Sequence, residues 1–227
     1  MLSGTGYGLL VRLGALLVLW VCLTGILIAS ENAVVRSAAL TAFDRRTTAW
    51  AVDHRSPPLD AVMRAVTWGG SWVAVVAAGV LIAVLVARRR IPMRAGAIAV
   101  VAWAGEAAGV GLAKEIVQRP RPPERLWLTS ATGWSWPSGH AAVAVVVFTT
   151  LAVIAAYLGR TSAYWAVAWP AAVLAVVVVG FSRIELGVHW TTDVLASLAF
   201  VVLWLLGVAA VFRAGSVRAP PRPRPSQ

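Results

Sequence analysis

Six long apolar runs divide this chain of 227 residues. They lie at about Leu13–Ala29, Trp72–Ala87, Ala95–Ala113, Ala141–Leu158, Trp165–Phe181 and Val194–Phe212. Each run is close to the ~20 residues that a helix needs to cross ~30 Å of hydrocarbon. The runs lack the polar alternation that membrane-spanning strands require. The pattern therefore predicts an all-α, polytopic membrane protein whose residues 1–215 form one bundle of six transmembrane helices.

The first run could instead be a cleaved signal peptide. A cut near Ser30 would need a small-x-small site, and the residues before it are Leu27, Ile28 and Ala29. We therefore expect an uncleaved first helix.

The longest connection between runs covers residues 31–70 and contains one amphipathic segment. Ser56 is a suitable N-cap, and proline is tolerated in a first helical turn, as at Pro57 and Pro58. The apolar positions that follow are spaced i, i+3, i+4 and i+7, and they are Leu59, Val62, Met63 and Val66. Two interpretations stay open, a helix lying on the outer membrane interface or a packed lid.

Composition supports the membrane assignment, because 59% of the residues are hydrophobic and 13% are charged. The formal charge of +11 could indicate nucleic acid, but its distribution indicates topology instead. With the N-terminus in the cytoplasm, the inner loops and termini carry ten arginines and no acid, including the run Arg88–Arg90. Short basic loops stay inside. We therefore expect a multi-pass cell-membrane protein that binds no nucleic acid. Both termini would be cytoplasmic, and the Pro- and Arg-rich tail 216–227 would be disordered.

Three short clusters of polar and ionisable residues lie in the second half of the chain. In the first, Lys114 ends the third run and Arg121 follows in a proline-stiffened loop. The ammonium group of a lysine and the planar guanidinium group of an arginine together suit the oxygens of a phosphate. Two cations that only extend from a helix end toward the membrane surface would give the same pattern.

The second cluster, Pro137-Ser138-Gly139-His140, precedes the fourth run. Ser138 could simply cap that helix. A helix N-terminus is also an anion site, and Gly139 would allow a phosphate to approach the backbone. His140 would then face the phosphate and could protonate a leaving oxygen.

The third cluster contains Ser182-Arg183 and, further on, His189 and Asp193. The last two are spaced i, i+4 and are therefore neighbours on one helical face. A carboxylate that holds one imidazole N–H leaves the other nitrogen free to attack, as in a catalytic triad. All three clusters fall on the same predicted side of the membrane, which favours a shared site.

These clusters match, in order and spacing, the three signatures of the type 2 phosphatidic acid phosphatase superfamily. The segment SRIELGVHWTTD (182–193) resembles the bacterial phosphatidylglycerophosphate phosphatase-like enzymes, as does RSPPLDAVMRAVTWGGSW (55–72). The resemblance implies that phosphate is held by Lys114, Arg121, Ser138, Gly139 and Arg183. It also implies that His189 attacks phosphorus to form a phosphohistidine, that Asp193 orients it, and that His140 acts as acid and then base. The family needs no metal or other cofactor.

The sequence leaves the substrate open among membrane lipid phosphates. Phosphatidic acid and phosphatidylglycerophosphate come first, a polyprenyl diphosphate is the alternative, and a non-catalytic transporter or scaffold is remote. The oligomeric state is unknown. Trp134, Trp136 and Trp190 fall near outer helix ends, where they either form an aromatic belt or line substrate access.

Glu106 is the one acid inside an apolar run. A functional interpretation would make it part of a proton path. We favour a structural one, a buried carboxyl that is hydrogen-bonded across helices to Thr149 or Thr150.

Overall fold

A computed structural model describes residues 4–214, and the regular structure in that range is entirely helical. The eight α-helices are α1 Gly4–Arg36, α2 Ala38–Asp53, α3 Pro57–Val66, α4 Trp72–Ala87, α5 Met93–Val117, α6 Gly139–Gly159, α7 Ser162–Glu185 and α8 Thr191–Ala214. The predicted all-α class is confirmed, and each of the six apolar runs falls within one helix. The predicted tail at 216–227 lies outside the described residues.

The longest helices are the ones that can cross a membrane. Five of them, α1, α5, α6, α7 and α8, are long and apolar enough to span a bilayer. Helix α4 qualifies only together with α3 and the 3₁₀ turn Thr67–Gly70, and this pair is bent by 48°. Its 16 residues alone reach about 24 Å, which is short for a span. The fold therefore has up to six spans, with the bent pair as the sixth.

The connection 31–70 is more helical than the sequence predicts. Helix α2 was missed because its buried positions, Asp44, Thr48 and Ala51, form a stripe that is mostly polar. Helix α3 begins where predicted, with proline in its first turn, but the Ser56 hydroxyl makes no capping hydrogen bond. Met63 of α3 is buried against Leu186 and Val188, beside the loop that carries His189. The segment thus packs on one end of the bundle, and its predicted contact with the membrane interface stays a prediction.

Glycines on α5 bring it close to α8. A Cβ added at Gly105 would lie 2.3 Å from the Trp204 ring, and one at Gly109 would lie 2.4 Å from the Phe200 ring. Trp204 also donates its indole N–H to the Ala102 carbonyl over 2.8 Å. Small residues at such crossings allow helix backbones to pack closely in membranes. This contact fixes the start of α8 beside the end of α5, where the charged clusters lie.

Candidate active site

The three charged clusters predicted from the sequence meet at one end of the bundle. Lys114 lies in the last turn of α5, and Ser138 caps the start of α6. Arg183 lies in the last turn of α7, and Asp193 lies in the first turn of α8. The helix ends therefore bring together residues from 114 to 193.

The loop between α7 and α8 sets the position of His189. Gly187 adopts φ +74°, a left-handed conformation that favours glycine. A Cβ at this position would also lie 2.2 Å from the Leu126 carbonyl oxygen, so there is no room for a side chain. The Arg183 carbonyl accepts hydrogen bonds from the backbone N–H groups of Val188 and His189, both at 3.2 Å. The turn thus folds His189 back onto the end of the helix that carries Arg183.

The two ring nitrogens of His189 have different partners. Nδ1 lies 3.2 Å from Asp193 Oδ2, and Nε2 lies 3.1 Å from Arg121 Nη1. A guanidinium group can only donate, so Nε2 must be the acceptor. In the neutral ring the proton is therefore on Nδ1, and the lone pair of Nε2 accepts the hydrogen bond from Arg121.

The charge state of His189 follows from its burial. The residue is 2% exposed. Burial lowers the pKa of His189 to about 4, against the opposing hydrogen bond and charge of Asp193. At neutral pH the imidazole is thus uncharged, which is the form that can act as a nucleophile.

Asp193 accepts several hydrogen bonds besides the one from His189. Its Oδ2 also accepts from the Trp190 backbone N–H over 2.8 Å and from the Ser135 hydroxyl. Its Oδ1 pairs with Arg119 Nη1 over 2.6 Å. A carboxylate with this many donors stays ionised and fixed, which suits a group that orients an imidazole.

Arg119 and Asp44 belong to this arrangement and were missed by the sequence analysis. Arg119 bridges Asp193 and Asp44, with Nη2 lying 2.8 Å from Asp44 Oδ2. Asp44 also accepts from the backbone and hydroxyl of Thr192, at 2.9 and 2.6 Å. The Arg119 and Asp44 side chains are 6% and 2% exposed. The sequence contains only a weak indication of either residue. Arg119 lies between Lys114 and Arg121 of the first cluster, and Asp44 is one of several charged residues on α2.

Arg121 reaches His189, but its five N–H groups all contact protein acceptors. Nε donates to the Gly133 carbonyl, Nη2 to those of Thr132 and Trp134, and Nη1 to that of Val188 and to His189. Burial lowers the pKa of Arg121.

Lys114 shares one of these acceptors, because its Nζ donates to the Trp134 carbonyl over 2.7 Å. In this conformation carbonyls of residues 132–134 therefore accept hydrogen bonds from both cations. A phosphate would have to exchange with those carbonyls.

A cavity of about 660 Å³ opens beside His140 and Arg183. Gly139 contributes to its wall, and so do the exposed Trp68 and Trp72. The buried Arg183 Nε has no hydrogen-bond partner among the described residues, while its Nη1 donates to Thr67 Oγ1 over 2.6 Å. A buried guanidinium with an unused donor is suited to bind an anion in the cavity.

Ser138 is fully buried, and its hydroxyl accepts from the Ala141 backbone N–H at 3.5 Å. It is not among the residues that line the cavity. Its observed contact is therefore the simple capping role, and phosphate binding by its hydroxyl stays a prediction.

The tryptophans differ from the prediction in one case. Trp136 is 1% exposed, lies in the main hydrophobic core and donates to the Leu27 carbonyl over 3.1 Å. The prediction that it forms part of an aromatic belt or lines substrate access is therefore wrong for Trp136, because its ring is buried in the core, where it contacts α1. Trp134 is 37% exposed, and Trp190 donates to the Pro120 carbonyl over 3.0 Å. The aromatic residues that line the cavity are Trp68 and Trp72 instead.

Glu106 is buried as predicted, with 4% of its surface exposed. Its predicted partner Thr150 is occupied, because it accepts from the Trp103 indole and donates to the Val146 carbonyl. No described residue makes a hydrogen bond with the Glu106 carboxyl, so the prediction of a link across helices is wrong. Glu106 instead lines the cavity that also contains His140.

Fold and site together define a polytopic helical membrane protein with a cluster of histidine, arginine and aspartate at one end. The family model described as PAP2 superfamily matches residues 95–215, which include all three clusters. The chain therefore belongs to the PAP2 superfamily, a family of phosphatases.

Two solved structures share the fold. One is a transmembrane PAP2-type phosphatidylglycerolphosphate phosphatase from Bacillus subtilis, with a TM-score of 0.75 and 26% identity. The alignment covers 88% of this chain and 97% of that one. The other is LpxE from Aquifex aeolicus, with a TM-score of 0.53 and 22% identity over 73% and 92% of the two chains. This second likeness concerns the fold alone.

A curated relative is the undecaprenyl-diphosphatase of Sulfolobus acidocaldarius. It is 33% identical over 101 residues, which is 42% of this chain and 42% of the relative. The chain thus matches about two fifths of that protein's length.

Proposed function

We propose that this protein is a metal-independent lipid phosphatase that hydrolyses a phosphomonoester or diphosphate headgroup through a phosphohistidine on His189. The observation that carries the proposal is the orientation of His189. Asp193 holds its Nδ1–H, and the unprotonated Nε2 lies beside the Arg121 guanidinium. An oriented, neutral imidazole next to a cation is the arrangement that an attack on a phosphate requires.

In the first step, His189 Nε2 forms a bond to phosphorus while the bond from phosphorus to the lipid oxygen breaks. Arg183, Lys114 and Arg121 would hold the phosphate oxygens, with the backbone N–H groups at Gly139 helping. Charge that develops on these oxygens is stabilised by fixed cations, as a metal ion would do in other enzymes. His140, which faces the cavity, would be protonated beside the negatively charged phosphate and would donate that proton to the leaving lipid alkoxide, becoming neutral.

In the second step, a water molecule attacks phosphorus and the bond from phosphorus to His189 Nε2 breaks. His140, neutral after the first step, would take the proton of this water. Inorganic phosphate leaves, and both histidines return to their starting states. Asp193 stays ionised throughout and stabilises the charge on the His189 ring.

A lipid substrate is supported by the surroundings of the cavity. Trp68 and Trp72 on its wall are 59% and 73% exposed, at the bend between α3 and α4. Exposed tryptophan is typical of the membrane interface, where lipid headgroups lie. Phosphatidic acid and phosphatidylglycerophosphate are the favoured substrates, in line with the relative from B. subtilis.

A polyprenyl diphosphate is the alternative substrate, and the partial match to an undecaprenyl-diphosphatase favours it. The remote alternative is a non-catalytic lipid transporter or scaffold. We also propose that residues 1–215 form the phosphatase domain, in the cell membrane, with the site on the extracytoplasmic face and both termini in the cytoplasm.

The test is phosphate release by the purified protein in detergent micelles. Phosphatidic acid, phosphatidylglycerophosphate and undecaprenyl diphosphate would be offered separately, each with His189→Ala as the matched control. Release by the wild type but not by the variant supports the proposal, and the fastest lipid identifies the substrate class. A folded wild-type protein that releases phosphate from none of them would favour the transporter or scaffold.

A further inference from the structure

Glu106 projects into the same cavity as His140 and Arg183, although the proposed mechanism does not use it. Its side chain is buried, and its carboxyl makes no hydrogen bond with any residue between 4 and 214. A buried polar group without a hydrogen-bond partner is destabilising. A buried carboxyl that faces a cavity is therefore suited to a partner that enters the cavity.

Two polar groups that line this cavity make no hydrogen bond with the described residues. One is Arg183 Nε, which the proposed mechanism assigns to the phosphate. The other is the Glu106 carboxyl. It lies one helical turn beyond Val110 and about two turns from Lys114, so it is roughly 12 Å deeper along α5 at 1.5 Å per residue. Val110 and Val143, which are apolar, also line this cavity.

The chemistry of a carboxyl restricts what can bind beside it. A second phosphate group is disfavoured, because its negative charge would meet another acidic group in a low-dielectric cavity. A hydroxyl or an ester carbonyl is compatible, because a carboxyl group can exchange a hydrogen bond with either.

Among the candidate substrates, only a glycerolipid carries such groups just behind its phosphate. In a polyprenyl phosphate, the atoms behind the phosphate are hydrocarbon. A polyprenyl chain would therefore leave the Glu106 carboxyl buried and unpaired.

We infer that Glu106 is a specificity-determining residue that hydrogen-bonds the glycerol backbone of a glycerolipid phosphate and thereby favours it over a polyprenyl phosphate. The inference rests on the proposed function, since it assumes that the phosphate lies at Arg183 and His140. A site built to hydrogen-bond a substrate group discriminates against the analogue that lacks it.

The experiment compares two monophosphates, dioleoyl phosphatidic acid and farnesyl phosphate, on the full chain in detergent. Glu106→Leu should lower kcat/KM for phosphatidic acid about tenfold, as expected for one lost hydrogen bond. For farnesyl phosphate, kcat/KM should stay within about twofold or rise, since no bond is lost. Glu106→Gln keeps the shape and the hydrogen-bonding groups, so it should keep most of the preference. Glu115→Leu on the exposed side of α5 is the matched control and should change neither value.

Equal losses on both lipids, or no loss on either, would overturn the inference and leave Glu106 with a purely structural role. If Glu106→Leu does not fold, Glu106→Met, which has a similar length, replaces it. A wild-type protein that hydrolyses neither lipid would refute the proposed function instead. In that case thermal stabilisation by the two lipids decides, because Glu106→Leu should lose only the stabilisation by phosphatidic acid.

Discussion

Arg119 and Asp193 form a buried ion pair, with Nη1 and Oδ1 2.6 Å apart and both side chains at most 6% exposed. Through this pair the orientation of His189 depends on helix α2, because Arg119 also binds Asp44 there. The carboxylate that holds the proposed nucleophile is therefore fixed from two sides. Buried charges that form such a network are sensitive to the loss of any one member.

The first prediction concerns Asp193 itself. Asp193→Asn would replace the acceptor for His189 Nδ1–H with an amide that can donate instead, which favours the wrong tautomer. We expect kcat to fall by about 10²–10⁴ with little change in KM, as for the orienting aspartate of a catalytic triad. Steady-state kinetics on the preferred lipid measures both constants. Near-normal turnover in this variant would show that Asp193 does not orient the nucleophile.

The second prediction concerns Asp44, which touches neither histidine. Asp44→Asn removes one of the two carboxylates that hold Arg119, so the ion pair with Asp193 should shift. We expect a drop of about tenfold in kcat with KM unchanged, within the coupling range of buried networks. Asp53→Asn, on the same helix but exposed, is the control and should behave like the wild type.

A purely structural role for Asp44 would give a different result. Asp44→Asn would then lower the unfolding temperature while kcat per folded molecule stayed constant. Combining Asp44→Asn with Asp193→Asn adds a second check, since two changes in one network should be less than additive.

The third prediction is a pH dependence of stability that comes from His189. The pKa of His189 is about 4 in the folded protein, below the ~6.5 of an exposed imidazole. Between these values the unfolded chain binds more protons, so stability rises with pH across this window and is lost on acidification. From pH 7 to pH 5 the contribution of His189 should fall by about 2 kcal/mol. Thermal unfolding in detergent should therefore show a smaller acid-induced loss for His189→Gln than for the wild type. Equal losses in the two proteins would contradict a neutral, buried His189.

The fourth prediction is metal independence with inhibition by vanadate. Lys114, Arg121 and Arg183 supply the positive charge that a metal would otherwise bring to the transition state. Phosphate release should be unaffected by EDTA, and vanadate should inhibit competitively as a mimic of five-coordinate phosphorus. Activity that EDTA abolishes and a divalent ion restores would refute this prediction.

The fifth prediction concerns sidedness. The basic run Arg88–Arg90 between α4 and α5 is expected inside, which puts the active-site end outside. In a Cys22→Ala background, Thr132→Cys and Thr161→Cys both present exposed positions, one at each end of α6. An impermeant thiol reagent should label the first variant in intact cells and leave the second unlabelled. The reverse pattern would place the site in the cytoplasm.

The sequence by itself determined the helical class, the six apolar runs and the three clusters that meet at one end of the bundle. These could be predicted because each depends on local chemistry. A run of about 20 apolar residues has few alternatives to a membrane helix. The four-residue spacing of His189 and Asp193 keeps the two side chains close, although the structure places His189 in the loop before α8 and not on the helix that the spacing predicted.

Only the tertiary structure decided which side chains complete the site. Asp44 lies 75 residues before Arg119, and their contact exists because α2 packs beside the start of α8. The surroundings of Glu106 were also decided by the tertiary structure. Its depth could be counted from Lys114, but whether it faced Thr150 or the cavity depended on how α5 is rotated against α6 and α8. That rotation is set by close packing at Gly105 and Gly109, which pattern and spacing along one chain do not encode.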